Sequence, residues 1–305
     1  MVYEHTDAGN NQQIYREVDS IKKLKWNDKT RDAYTQELID HVIENGYVVI
    51  KNAFAEAEVD EALQELDHLY QTDEAGPAST GGRNTFEGFK TQRIYSLLNK
   101  SRVFDKFTIH PSVVALNDYF MDPGWLISVF QSINIRPGEN PQTLHHDDGY
   151  TTVPRPHRPF GSAIMVALDP YTETNGSTVV IPKSHKWDDT RVPKRSEAIP
   201  VVMPRGSIVF FLGTLWHGGG HNQSDADRQA LTVQYCQPWI RPIENQFLGV
   251  DWEKLQEIPK QIVDLMGYQV GSPFIGFVDG ASPTKAVEKH LRRYGVGKEK
   301  LSSKL

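Results

Sequence analysis

A chain of 305 residues with a net charge of -6 carries no cationic footprint for nucleic acid. Its 38% hydrophobic, 24% charged and 10% aromatic residues are the make-up of a globular protein, and no apolar run approaches the roughly 20 residues that span a bilayer. A single cysteine, Cys236, excludes an internal disulfide and suits a reducing compartment.

The opening MVYEHTDAGNNQQ lacks the charged-then-apolar layout of a signal peptide. Residues 31 to 44 then read as an amphipathic helix ended by Gly46, followed by a buried strand, YVVI, at 47 to 50. Residues 55 to 70 form a second helix with Val59, Leu63, Leu66 and Leu69 on one stripe. The stretch GPASTGGRNTFEGFK, residues 76 to 90, sets Phe86 and Phe89 in a Gly- and Ser-rich loop, which suits a lid or binding loop. Residues 103 to 120 carry helical turns broken at Pro111.

From Leu126 the texture changes. The runs LISVFQSINI, SAIMVAL, TVVI, SIVFF and ALTVQYC are separated by Gly, Pro and Asn. Regular short strands with turn signals predict a sandwich or barrel. Helix returns at 252 to 265 and 284 to 293. The expected architecture is α+β, a jelly-roll (double-stranded β-helix, cupin-like) core with flanking helices. One domain is expected over residues 1–305: a helical part to about 122, the core over about 123–242 and a helical extension over about 243–305.

The stretch QTLHHDDGY, residues 142 to 150, has the composition of a metal site but is ambiguous by one residue. On a strand, His145 and Asp147 share one face and His146 and Asp148 the other. The third ligand is sought in LWHGGGH, at His217 or His221, where three glycines let something approach the backbone. Two histidines and one carboxylate form the facial triad of non-haem Fe(II) oxygenases, and the lack of thiolates argues against structural zinc. Such iron needs electrons to activate O2, and a 2-oxo acid supplies them. Its distal carboxylate needs a buried cation, and Arg228, eleven residues after His217, suits that role.

These stretches, with NTFEGFKTQRIYSLL, NGSTVVIPKSH and QYCQPW, resemble the phytanoyl-CoA dioxygenase family of Fe(II)/2-oxoglutarate oxygenases, especially its bacterial and fungal small-molecule branch. The resemblance implies iron on His145, Asp147 and His217, with 2-oxoglutarate on Arg228 and further contacts at Gln142 and Thr178. It places His146 and Asp148 on the opposite face or behind the ligands. It also implies oxidation of an unactivated C–H, with 2-oxoglutarate leaving as succinate and carbon dioxide. Two positions depart from the family pattern, His221 for a small residue and Lys183 for Gly; both are expected to reshape the pocket. Asp147 is retained, against a halide-binding variant of the site.

Alternation from Arg228 puts Ala230, Thr232, Gln234 and Cys236 on the same face, so Cys236 is a candidate wall residue. Phe86, Arg93 and Tyr150 are candidate substrate contacts. Of the eleven histidines, His5, His41, His68 and His290 read as surface or capping groups, and His110 and His185 as turn residues. His157 sits in a proline-rich loop that either rims the pocket or is solvated.

The expected partner is a small specialised metabolite rather than nucleic acid or membrane, with a homodimer through the C-terminal helices as a guess. An acyl-CoA 2-hydroxylase is the alternative, since Ser303-Lys304-Leu305 is a peroxisomal address in a eukaryote. A jelly roll using another metal for isomerisation or hydrolysis, or a metal-free binding protein, has no need of Arg228.

Overall fold

The computed structural model describes residues 31–72 and 84–294. The N-terminal polar stretch, the first half of the Gly- and Ser-rich loop, His5 and Ser303-Lys304-Leu305 lie outside the described residues.

Helix α1 (Ala33–Asn45) starts at Asp32, whose carboxylate accepts the Thr35 N–H at 2.8 Å. It stops at Gly46, whose φ of 84° is the left-handed region. Strand β1 (Tyr47–Ile50) follows, then α2 (Glu56–Thr72), which buries Val59, Ala62, Leu66 and Leu69. After β2 (Thr91–Gln92) and the short α3 (Leu97–Lys100), a 3-10 helix over Arg102–Thr108 leads to α4 (Pro111–Phe120), with proline in its first turn and the His110 ring accepting the Ser112 N–H.

The core strands are β3 (Leu126–Ile135), β4 (Gly161–Ala167), β5 (Thr178–Val180), β6 (Ile199–Pro200), β7 (Ile208–Leu212), β8 (His217–Gly219) and β9 (Arg228–Cys236). They form a six-stranded sheet, β1-β7-β4-β9-β3-β2, and a three-stranded sheet, β6-β5-β8. All pairings between these strands are antiparallel. The two sheets and their flanking helices make the expected jelly-roll architecture.

Alternation along the central strands divides the interior in two. Ile164 and Val166 of β4, Phe210 of β7 and Leu231 and Val233 of β9 face α1, α2 and α4. Ala163, Met165 and Ala167, Val209 and Phe211, and Ala230 point toward the small sheet, where Val180, Val201 and Met203 meet them. Every residue of β4 is therefore buried, as befits a strand covered on both faces.

One expectation gives way. The helix over 252 to 265 is instead a 3-10 turn (Trp252–Gln256), a one-turn α6 (Lys260–Val263) after α5 (Gln246–Gly249), and a π turn (Asp264–Tyr268). Pro259 has no N–H to continue a helix, and Gly267, at φ 100°, ends it. The last helix is α7 (Pro283–Tyr294). No helix among the described residues is long and apolar enough to cross a membrane.

Candidate metal centre

His145 and Asp147 do not share a strand. His145 makes a single antiparallel bridge to His217, and Asp147 opens a 3-10 turn, Asp147–Tyr150. The turn, not alternation, selects the pair. It swings Asp147 to the inner side, and one oxygen, Oδ1, stands 3.7 Å from Nε2 of both His145 and His217. The three ligand atoms lie within 4.8 Å of one another. His146 turns away to pack edge-on against Trp216, ring centroids 4.8 Å apart. Buried Asp148 accepts the Phe160 N–H at 2.8 Å and caps a loop.

Both imidazoles are oriented from behind. Nδ1 of His145 lies 2.9 Å from the Thr143 carbonyl and Nδ1 of His217 3.0 Å from that of Leu215. A carbonyl only accepts, so each Nδ1 carries the proton and each Nε2 lone pair faces the centre. Burial, with His217 adjacent, pushes His145 down to about 4 despite Asp147; burial alone dominates for His217, also about 4. Neutral imidazole, the ligand form, therefore holds at neutral pH. Burial pushes the Asp147 carboxyl up, and its Oδ2 is buried without a partner. A buried carboxylate beside two aligned lone pairs lacks a cation, and a divalent metal supplies that charge.

The triple glycine has the use its size suggests. A Cβ on Gly218 would come within 3.3 Å of the Gln142 and Thr143 carbonyls, and one on Gly220 within 2.6 Å of the Ser177 carbonyl. His221 lies off the cavity, its ring 3.2 Å from the Gln223 amide. Lys183 takes a left-handed φ of 66°, a conformation that favours glycine, and pairs outward with Glu44. Neither departure shapes the pocket, because neither side chain reaches it.

The centre opens into a cavity of about 890 Å³. Arg228, on β9, lies in its wall and is 1% exposed. Its Nη1 donates to the Tyr171 hydroxyl at 2.9 Å and its Nη2 to the Gly176 carbonyl at 2.7 Å, while Nε has no partner. Among the described residues no carboxylate pairs with it. Thr178 lies in the same wall. Gln142 lines the cavity as well, with both ends of its amide engaged: Oε1 accepts the Gly219 N–H and Nε2 donates to the Phe86 carbonyl, each at 3.0 Å.

The substrate candidates divide. Phe86 and Tyr150 line the mouth half-exposed, and the Phe86 ring meets His145 edge-on at 4.9 Å. Arg93 lines the interior and donates to the Glu87 carbonyl at 3.3 Å. Cys236 is the exception. Thr232 and Gln234 follow the alternation into the wall, but Cys236 faces a small separate space beside Asp148, with its thiol on the Ile240 carbonyl at 3.7 Å. Of the remaining histidines, His185 donates from Nε2 to the Ile43 carbonyl at 3.1 Å and His157 stacks on Phe160. Sequence reasoning missed Tyr171, which touches Arg228 and lies in LDPYTETNGST, a loop with no metal-ligand signal of its own.

The sequence profile described as Phytanoyl-CoA dioxygenase (PhyH) matches residues 42–230. The chain belongs to this family. As a phytanoyl-CoA dioxygenase-family protein it is an oxygenase enzyme. It is 31% identical over 247 residues to "Dioxygenase FUM3" of Gibberella moniliformis, covering 76% of this chain and 82% of that one. It is 29% identical over 252 residues to "Dioxygenase cdmA" of Talaromyces verruculosus, covering 77% and 84%. Among solved structures it resembles the non-heme alpha ketoglutarate dependent epimerase SnoN from nogalamycin biosynthesis, with a TM-score of 0.57 and 20% identity over 71% of this chain and 88% of that one. HygX from Streptomyces hygroscopicus, with nickel and 2-oxoglutarate bound, gives a TM-score of 0.56 at 16% identity, covering 68% and 89%. These structural likenesses establish the jelly-roll fold of this phytanoyl-CoA dioxygenase-family chain.

Proposed function

We propose that His145, Asp147 and His217 hold Fe(II), that Arg228 and Thr178 hold the distal carboxylate of 2-oxoglutarate, and that the protein uses O2 to oxidise an unactivated C–H of a small specialised metabolite. One observation carries this: a buried carboxylate with two aligned imidazoles, and a buried guanidinium without an acid, face one cavity. A 2-oxo diacid with a divalent metal complements both ends.

When bound, iron and the 2-oxo acid together supply the oxidant. The chain's own residues do the rest. The Thr143 and Leu215 carbonyls keep the imidazole protons on Nδ1, and Phe86 and Tyr150 narrow the mouth against water. The fate of the substrate radical, hydroxylation, desaturation or ring formation, is decided by how the wall holds the substrate.

The surface cations argue for a small metabolite over an acyl-CoA. Arg155 is buried, with Nη2 on the Ser184 and Thr214 carbonyls at 2.9 and 2.7 Å. Arg158 pairs with Asp122, Lys183 and Lys186 with Glu44, and Arg191 with Glu197 while stacked on Trp187. Each of these five cations is already engaged. The likeness to SnoN, an epimerase from nogalamycin biosynthesis, supports the same choice by analogy.

The test is an anaerobic titration of metal-free protein with Fe(II) and then 2-oxoglutarate. The visible charge-transfer band of the chelate is expected in wild type and absent in His217→Ala. Iron bound without a band sinks the Arg228 assignment and favours the jelly roll of another metal chemistry. For substrate class, Lys186→Glu and Arg191→Glu are expected to leave turnover unchanged; a raised KM for an acyl-CoA in either would reinstate the alternative.

A further inference from the structure

The cationic end of the cavity is built on a residue behind the wall. Tyr171 lies in the link between β4 and β5. Its backbone exchanges both hydrogen bonds with Met203, at 2.9 and 3.2 Å. Its ring is 1% exposed and packs in the cluster between the two sheets. The Arg228 guanidinium carbon stands 4.7 Å from the ring centroid. The hydroxyl accepts from Arg228 Nη1 at 2.9 Å. Arg228 and Thr178 face the cavity; Tyr171 does not.

An arginine without an acid has no ion pair to fix its planar fork, and its long side chain has many rotamers. Tyr171 replaces that constraint. The ring sets the plane of the guanidinium, and the hydroxyl sets the position of Nη1. The Gly176 carbonyl holds Nη2. Nε is left without a partner.

We infer that Tyr171 is a positioning residue that holds Arg228 in a rigid frame and thereby sets the chain length of the 2-oxo diacid the site accepts. This rests on the reading above, that such an acid meets Arg228. The metal ligands sit on β8 and the turn after His145, whereas Arg228 sits on β9 of the other sheet. A diacid must bridge that fixed span, so one methylene more or less is felt only while the cationic end cannot move.

Tyr171→Phe removes the hydroxyl and keeps the ring under the guanidinium. The experiment is anaerobic calorimetric titration of Fe(II)-loaded wild type and variant with 2-oxoglutarate and with 2-oxoadipate, with Fe(II) affinity and the unfolding temperature measured alongside. The expected result is about a tenfold loss of 2-oxoglutarate affinity, the scale of one hydrogen bond to a charged group. The preference for 2-oxoglutarate over 2-oxoadipate is expected to narrow, with Fe(II) affinity unchanged. Unchanged affinities for both acids, or equal loss of both, overturn the inference, because general loosening does not discriminate by length. If wild type binds Fe(II) but neither acid, the proposed function itself fails. Should Tyr171→Phe not fold, Tyr171→His keeps a planar ring beside the guanidinium without the phenol oxygen and carries the same expectation.

Discussion

His145 and His217 hold each other through the backbone: the N–H of His145 donates to the His217 carbonyl at 2.9 Å, and the N–H of His217 returns the bond at 2.8 Å. The centre is thus a point of pairing between two chain segments, with each ring then aimed by the carbonyl two residues before it. Replacing either ring with Ala leaves this backbone ladder intact. His145→Ala and His217→Ala are expected to fold and to lose Fe(II) affinity by at least about a hundredfold, more than loss of a supporting contact costs. Metal content after dialysis at fixed Fe(II), with circular dichroism for the fold, checks this.

Among the described residues no carboxylate pairs with the charge of Arg228. Arg228→Ala is expected to raise the KM for 2-oxoglutarate roughly a hundred- to a thousandfold, the range for removing one partner of a buried ion pair. Fe(II) affinity should not move. Succinate release against 2-oxoglutarate concentration measures the first quantity, and a chelator competition the second.

The glycine triplet supports a graded steric test. Gly220→Ala places a methyl group 2.6 Å from the Ser177 carbonyl, a backbone atom that cannot swing aside. We expect a stability loss of about 1–3 kcal/mol, the scale of overpacking. Gly219→Ala meets nothing closer than 3.6 Å and should cost far less. Urea unfolding midpoints of the two variants decide.

Asp105 lies in the 3-10 helix under α2, 7% exposed, with Oδ1 unpartnered. Burial pushes its carboxyl up to about 6, against a partial offset from Arg102 at 3.4 Å. The folded value lies above the unfolded one, so the folded state binds more protons between them. Its contribution is fully present below the unfolded value and is lost as pH rises through about 6. Asp105→Asn is expected to stabilise the protein at pH 7 by up to about 3 kcal/mol, and to give no gain at pH 4. Thermal melts at the two pH values check the sign.

The strands of the core were legible because their apolar alternation and turn residues act locally; LISVFQSINI is β3 residue for residue. Arg228 was legible from charge alone, at the start of an apolar strand. The choice of Asp147 over Asp148 was legible only through the family resemblance, since strand parity does not describe a segment that bends into a 3-10 turn after a single bridge. Cys236 followed parity out of the cavity, because the wall ends before β9 does. Tyr171 escaped notice because its role comes from tertiary contact with an arginine 57 positions away. The helix at 252 to 265 failed at Pro259, where the missing N–H outweighs the apolar spacing.

The cavity's walls differ in how they are held. His145, His217 and Arg228 sit in strand pairings, whereas Phe86 is carried on a loop and Tyr150 closes the one-turn 3-10 helix that Asp147 opens. Substitutions at the mouth leave the pairing of His145 with His217 untouched. The scaffold therefore lets the mouth vary at Phe86 by a single mutation while the backbone pairing that aims the two imidazoles stays constant.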